Sequence, residues 1–242
     1  MPAAAFTPVA FNRIALVAAL LLGAGLLASW RTPAAEQPAL IAAPAVDSPK
    51  TAGPAQTAVL SGGCFWGVQG VFEHVRGVRR VVSGYAGGAR DTAEYGNVST
   101  GRTGHAESVQ ISFDPAQISY GEILRVFFSV AHDPTQLNRQ GPDVGSQYRS
   151  EIFYSTPEQK RIAEAYIAQL EQVHAFARPI ATRVDSLPGF YPAEEYHQDF
   201  LVHNLTYPYI VFNDLPKIEN LKRVLPDYYV GRPVLLSNVS AH

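Results

Sequence analysis

At 242 residues, 47% hydrophobic and 17% charged, the chain has room for one sizeable globular domain plus extensions. A net charge of −2 gives no electrostatic ground for binding nucleic acid or an anionic membrane surface. One cysteine excludes an internal disulfide and a thiolate-built zinc or iron–sulfur centre, and no phosphate-binding loop or convincing dinucleotide fingerprint is present.

The first element is apolar. Asn12-Arg13 precedes an uncharged run over 14–29 rich in leucine, with Arg31 the next charge. A basic residue followed by such a run is the pattern of an export signal, and its length allows either a cleaved signal peptide or a retained membrane tether within residues 1–31. The expected location is therefore outside the cytosol, periplasmic or anchored facing the periplasm. Residues 32–55 carry Pro33, Pro38, Pro44, Pro49 and Pro54 among alanines, and this composition predicts a semi-extended linker without a packed core.

The main domain is expected over 56–205. Ala58-Val59-Leu60 reads as the end of a buried strand, and Gly62-Gly63 permits a sharp turn. Phe65, Val68, Val71, Phe72 and Val75 then recur at helical spacing. Cys64 sits at this strand-to-helix junction, where free N–H groups and the helix dipole favour the thiolate, so it reads as a nucleophile. Strands are predicted over 78–85 and 106–113, with Val109, Ile111 and Phe113 sharing a face. Helices are predicted over 118–130 and 157–173, the latter capped by Ser155 or Thr156 with Pro157 in its first turn. Residues 148–154 and 180–184 add candidate strands, giving an α+β domain whose strand order the pattern does not fix. A tail over 206–242, with a short helix opening at Leu215-Pro216-Lys217, is expected to pack on the domain surface.

Gly-Cys-Phe-Trp-Gly at 63–67, Ser-Gly-Tyr-Ala-Gly-Gly at 83–88 and Gly-His-Ala-Glu at 104–107 stand in one order with four later blocks. These are His-Asp-Pro-Thr-Gln at 132–136, Asn-Arg-Gln-Gly at 138–141, Gly-Ser-Gln-Tyr-Arg-Ser at 145–150 and Ala-Glu-Glu-Tyr-His-Gln at 193–198. From about Thr57 to about Asn204 the chain resembles the A-type peptide methionine sulfoxide reductases. The resemblance implies an α/β roll, a two-layer sandwich around a mixed sheet of ferredoxin-like type. It implies reduction of methionine-S-sulfoxide, free or protein-bound, through a sulfenic acid on Cys64.

The same resemblance implies the supporting site. Glu107, a carboxyl kept protonated by an apolar setting, is the expected proton donor. Tyr95 and Tyr148 are expected to hydrogen-bond the sulfoxide oxygen, and Asp143 to order the site. Phe65 and Trp66 are expected to grip the S-methyl group. Apart from the resemblance, His197 and His203 lack the carboxylate–His spacing of a metal pair, so His197 reads as a structural hydrogen-bonding residue. Members of this family often carry resolving cysteines near the C-terminus; this sequence has none, and Phe200 stands where some members have a tyrosine. Recycling therefore calls for an external thiol, either a small thiol or a thioredoxin-like or glutaredoxin-like protein, with no other cofactor and no metal. A monomer is expected. Two other readings compete. A binding module of the same fold needs no nucleophile-plus-acid set, and a thioester-forming hydrolase needs a general-base histidine that no local context singles out.

Overall fold

The computed structural model describes residues 37–236; the apolar segment at 14–29 lies outside them. The first strand, β1 (Gln56–Gly62), runs through the middle of a six-stranded sheet and ends at the glycine pair. Helix α1 (Phe65–Glu73) follows with Cys64 at its N-cap, and then β2 (Val78–Ala86). A short helix α2 (Tyr95–Val98) and a loop lead to β3 (Ala106–Phe113), whose bounds match those read from its alternation. Helix α3 (Tyr120–Val126) comes next, then the small hairpin β4 (Arg139–Gln140) and β5 (Asp143–Val144), and β6 (Ser150–Tyr154). Helix α4 (Pro157–Gln172), β7 (Arg183–Ser186), β8 (Phe190–Pro192), α5 (Phe200–His203) and α6 (Leu215–Val224) complete the chain.

The sheet order is β7-β6-β1-β3-β2-β8, antiparallel throughout except for the parallel pair β6 and β7, so the expected mixed sheet is present. The sheet has six strands where the expected ferredoxin-like plan has four, so that detail of the expectation is not borne out. Leu60, Val81, Val109 and Ile111 on the strands meet Val71 and Phe72 of α1 and Phe127 and Phe128 in one buried core. Side chains alternate along a strand, so Glu107 shares the face of Val109, Ile111 and Phe113 and points into the helical layer. Register then places it beside Tyr85 of β2.

Three expectations change. The helix predicted over 118–130 is regular only to Val126; Phe127–Ala131 widens to a π-turn, which lets Phe127 stack on His132 at 4.0 Å. The strand expected at 180–184 begins at Arg183. The linker assignment fails from residue 37 onward, because this stretch is strapped to the helices. Ile41 is buried, and the carbonyls of Ile41, Ala42 and Ala43 accept from Arg125, Tyr166 and Gln169. Asp47 accepts from Gly121 N–H at 2.8 Å and from the Ser119 hydroxyl, capping α3 alongside that helix's own Ser119–Glu122 box. A proline-rich segment cannot build a core alone, but its unpaired carbonyls are ready acceptors for side chains of a domain already folded.

Asp47→Ala should cost about 1 kcal/mol of stability, the usual penalty for a lost cap, and lower Tm by about 2–4 °C. Calorimetry of residues 37–242 would show it, and an unchanged Tm would mean the strap does not cap α3.

Candidate active site

The turn between β1 and α1 is built on two close backbone approaches. Gly63 has φ +92°, which a side chain would strain, and a Cβ there would lie 2.6 Å from Gln140. Gly67 packs against the Asp214 carboxylate with no room for a methyl group. The turn therefore holds Cys64 over the sheet, largely buried, with the first N–H groups of α1 beside it. Phe65 N–H donates to Glu107 Oε2 at 3.1 Å, and Trp66 N–H is directed at the thiol.

The electrostatics differ from the sequence expectation for the thiol. Burial, then the Glu107 and Asp214 carboxylates, push the Cys64 pKa well above its ordinary value; the Trp66 N–H opposes this and loses. Cys64 is therefore a thiol in the free protein, and the helix terminus alone does not make a thiolate. Burial pushes Glu107 up to about 8, against the lowering effect of the Phe65 N–H and with a further rise from Asp143 and Asp214. Glu107 is thus a neutral acid at pH 7, as expected.

Every site residue named from the sequence lies around this pair. Burial, then Glu107 and Cys64, raise the Tyr95 pKa; burial, then Glu107, Asp143 and Cys64, raise that of Tyr148. Both phenols therefore keep their protons and remain donors. Asp143 accepts from the Tyr209 hydroxyl, and burial raises its own pKa. Phe65 is fully buried, 5.9 Å from the Tyr85 ring and 5.0 Å from the His197 ring. Trp66 is half-buried and donates from Nε1 to His197 Nδ1 at 3.1 Å. His197, whose pKa is lowered mainly by burial, is the neutral acceptor this bond requires, which matches its expected structural role. Phe200 stacks on Trp66 at 3.8 Å, so the position without a tyrosine hydroxyl contributes a flat apolar wall. A groove of about 570 Å³ lined by Arg80, Val82, Tyr196 and Asp199 meets this wall only at Phe200 and holds none of the thiol-side groups.

Sequence reasoning missed four participants. Glu194 accepts from Tyr85 Oη and from Tyr95 N–H, both at 2.8 Å, and so fixes α2 against β2. Its place in the Ala-Glu-Glu-Tyr-His-Gln block was the available signal. Tyr209, Asp214 and Lys217 come from the tail, which is part of the site wall and more than a surface wrap: Lys217 Nζ lies 3.7 Å from Asp214 Oδ1, and both residues are buried. Only the aromatic Tyr207-Pro208-Tyr209 run hinted at this. Among the described residues no cluster of three or more metal-ligating side chains occurs.

The chain as a whole is similar to known proteins. The family model for peptide methionine sulfoxide reductase matches residues 56–227. The chain belongs to the peptide methionine sulfoxide reductase family. It is 58% identical over 191 residues to "Peptide methionine sulfoxide reductase MsrA 2" of Mesorhizobium japonicum, covering 79% of this chain and 98% of that one. A Synechocystis protein of the same description is 56% identical over 177 residues, 73% of this chain and 83% of that one. Among solved structures, methionine sulfoxide reductase A of Corynebacterium diphtheriae superposes with a TM-score of 0.55 at 31% identity, covering 73% of this chain and 91% of its own. Reduced Mxr1 of Saccharomyces cerevisiae gives 0.57 at 31% identity, covering 65% and 91%. The chain is an oxidoreductase that reduces methionine sulfoxide, and the family match includes the first part of the tail, to residue 227.

Because Glu107 is the strongest charged neighbour raising the thiol, Glu107→Gln should move the Cys64 titration to lower pH. Iodoacetamide alkylation followed from pH 6 to 11 should show a midpoint above 9 in the parent and a lower one in the variant. Equal midpoints would remove Glu107 as a cause.

Proposed function

We propose that the protein reduces methionine-S-sulfoxide, free and in polypeptides, by transferring its oxygen to Cys64. Cys64 Sγ attacks the sulfoxide sulfur while Glu107 gives its proton to the sulfoxide oxygen and Tyr95 and Tyr148 hydrogen-bond it. The S–S bond formed by this attack breaks together with the substrate S–O bond as the hydroxyl passes to the cysteine sulfur, giving a sulfenic acid and methionine, and the thiol's original proton replaces the one Glu107 gave. The cysteine sulfur loses two electrons and the substrate sulfur gains two. Phe65 and Trp66 enclose the methyl group, and Asp143 holds the thiol-side wall through Tyr209. The observation that carries this reading is a buried carboxyl, neutral below about pH 8, bonded to the N–H of the residue after the sole cysteine.

With one cysteine in these 242 residues, the sulfenic acid has no partner within the chain, so an external thiol reduces it. A thioredoxin-like or glutaredoxin-like protein or a small thiol supplies that chemistry. Export completes the proposal, on the strength of Arg13 and the apolar run at 14–29. Among the described residues no helix is long and apolar enough to cross a membrane. Fractionation of cells expressing the full chain, with and without residues 1–31, tests export; an identical distribution would refute it.

A single turnover of residues 37–242 with methionine-S-sulfoxide and no reductant should yield one methionine per enzyme and one trapped oxygen on Cys64. An unmodified Cys64 without methionine would instead support a binding module. Cys64→Ser should abolish turnover, and Glu107→Gln should slow it by about 10²–10⁴-fold. The parent rate should fall as pH rises through about 8, since the raised pKa keeps the acid form present below that value and loses it above.

A further inference from the structure

The three groups assigned to the sulfoxide oxygen reach the site from three separate loops. Tyr95 follows the loop at 87–94, Glu107 follows the loop at 99–105, and Tyr148 closes the turn Ser146–Tyr148. These loops are laced together. Gly88 N–H donates to His105 Nδ1 at 3.2 Å, and His105 Nε2 lies 2.9 Å from the Ala89 carbonyl. Ser146 Oγ donates to the Gly101 carbonyl at 2.9 Å, and Gln147 Nε2 to that of Ser99 at 3.2 Å.

One guanidinium stands where the three loops meet. Arg149 is 7% exposed, and each of its nitrogens is engaged. Nη1 donates to the Ser146 carbonyl and Nη2 to the Gly104 carbonyl, each at 2.9 Å, while Nε binds the Glu151 carboxylate. Gly87 lies so close that a Cβ would come within 2.7 Å of Nη2. Glu151, 1% exposed, faces the buried cation, with Arg183 3.7 Å from its other oxygen; burial and a hydrogen bond to Asp185 push its pKa up to about 7 against the two arginines. Only a planar fork can serve two carbonyls from different loops and a carboxylate together; a lysine ammonium is a point charge with one centre. Gly104 is three residues before Glu107 and Ser146 two before Tyr148, so a shift of the guanidinium moves both side chains at their roots. Misplacement of about 1 Å is enough to cost about a hundredfold in rate.

We infer that Arg149 is the positioning residue for the oxygen side of the site, acting through Glu107 and Tyr148 without touching the sulfoxide or the thiol. The inference rests on the roles proposed above for those two residues. It predicts that the guanidinium matters for proton delivery and not for the reactivity of Cys64.

The test compares Arg149→Lys, Glu107→Gln and the double variant in single-turnover methionine formation, with Tm and Cys64 alkylation measured in parallel. Arg149→Lys should lose tenfold or more in the reductive step, with the half-saturating substrate concentration within about threefold and alkylation at pH 6–7, where Glu107 is neutral, unchanged. In the Glu107→Gln background the same substitution should cost at least threefold less than in the parent, because one of the two groups the arginine positions can no longer deliver a proton. Guanidinium chloride at millimolar concentration should restore part of the rate of Arg149→Ala. A reductive rate within twofold of the parent overturns the inference, as does a loss that is undiminished in the Glu107→Gln background or is matched by equal losses in alkylation and Tm. If Arg149→Lys does not fold, Glu151→Gln, which frees the Nε end of the same guanidinium, is judged by the same criteria. Full activity of Glu107→Gln alone would refute the proposed acid, a result separable from the Arg149 comparison.

Discussion

The bond from Phe65 N–H to the Glu107 carboxyl is the contact on which the rest of the site depends. A helix opens with N–H groups that no carbonyl of its own can satisfy, and here the first is spent on an acid and the next on a thiol. That division brings Cys64 and Glu107 together although they are 43 positions apart in the chain. It also explains why a helix N-terminus does not yield a thiolate. A helix dipole is worth about 0.3–1 kcal/mol near the surface and about 2 in good partly buried geometry. Full burial can shift a titrating group by up to about 3–5 units, each about 1.4 kcal/mol, and nearby carboxylates add to it. Burial wins, and both groups rest uncharged.

The parts of the fold legible in the sequence are those where local chemistry and tertiary demand agree. β3 could be read to the residue because Val109, Ile111 and Phe113 alternate with residues of the other face. The pattern alone did not mark Glu107 as an inward acid; the Gly-His-Ala-Glu block did, and in the structure the same period turns it into the helical layer. Thr156 caps α4 because its hydroxyl reaches Gln159 N–H, a contact spanning three positions. What escaped was decided elsewhere. The strap at 37–51 has no periodicity, and its bonds run to Arg125, Tyr166 and Gln169, 84 to 126 positions away. The π-turn after Val126 exists to seat His132 between Phe127 and Ser150, which no propensity encodes.

The same division holds for the site. Cys64, Phe65, Trp66 and Glu107 declared themselves through glycine-flanked motifs. Tyr209 and Asp214 did not, because an Asp in a tail gains meaning only when a glycine across the fold leaves room for it. The absence of a Cβ at Gly67 is that room, so the closing glycine of Gly-Cys-Phe-Trp-Gly is the sequence trace of a carboxylate 147 positions later. Phe200 acts likewise: stacked on Trp66, it lets the indole N–H keep its bond to His197 and holds the wall flat.

A buried thiol and a buried acid, both neutral, set a rule for the chemistry proposed here. The site already contains the Asp143 and Asp214 carboxyls, so a further negative charge there is opposed from several sides. Attack by a free thiolate, and ionisation of Glu107 without a taker for its proton, both add such a charge. Reduction avoids it when the two proton movements are joined: the sulfoxide oxygen takes the proton of Glu107 as the thiol's proton moves to the carboxylate left behind. The number of charges is then the same before and after attack. A substrate able to accept a proton at that oxygen is what releases the nucleophile, and a thioether or a water molecule in the same place does not. On this account the raised thiol pKa is part of the selectivity, because it keeps Cys64 inert toward electrophiles that carry no basic oxygen to the waiting acid.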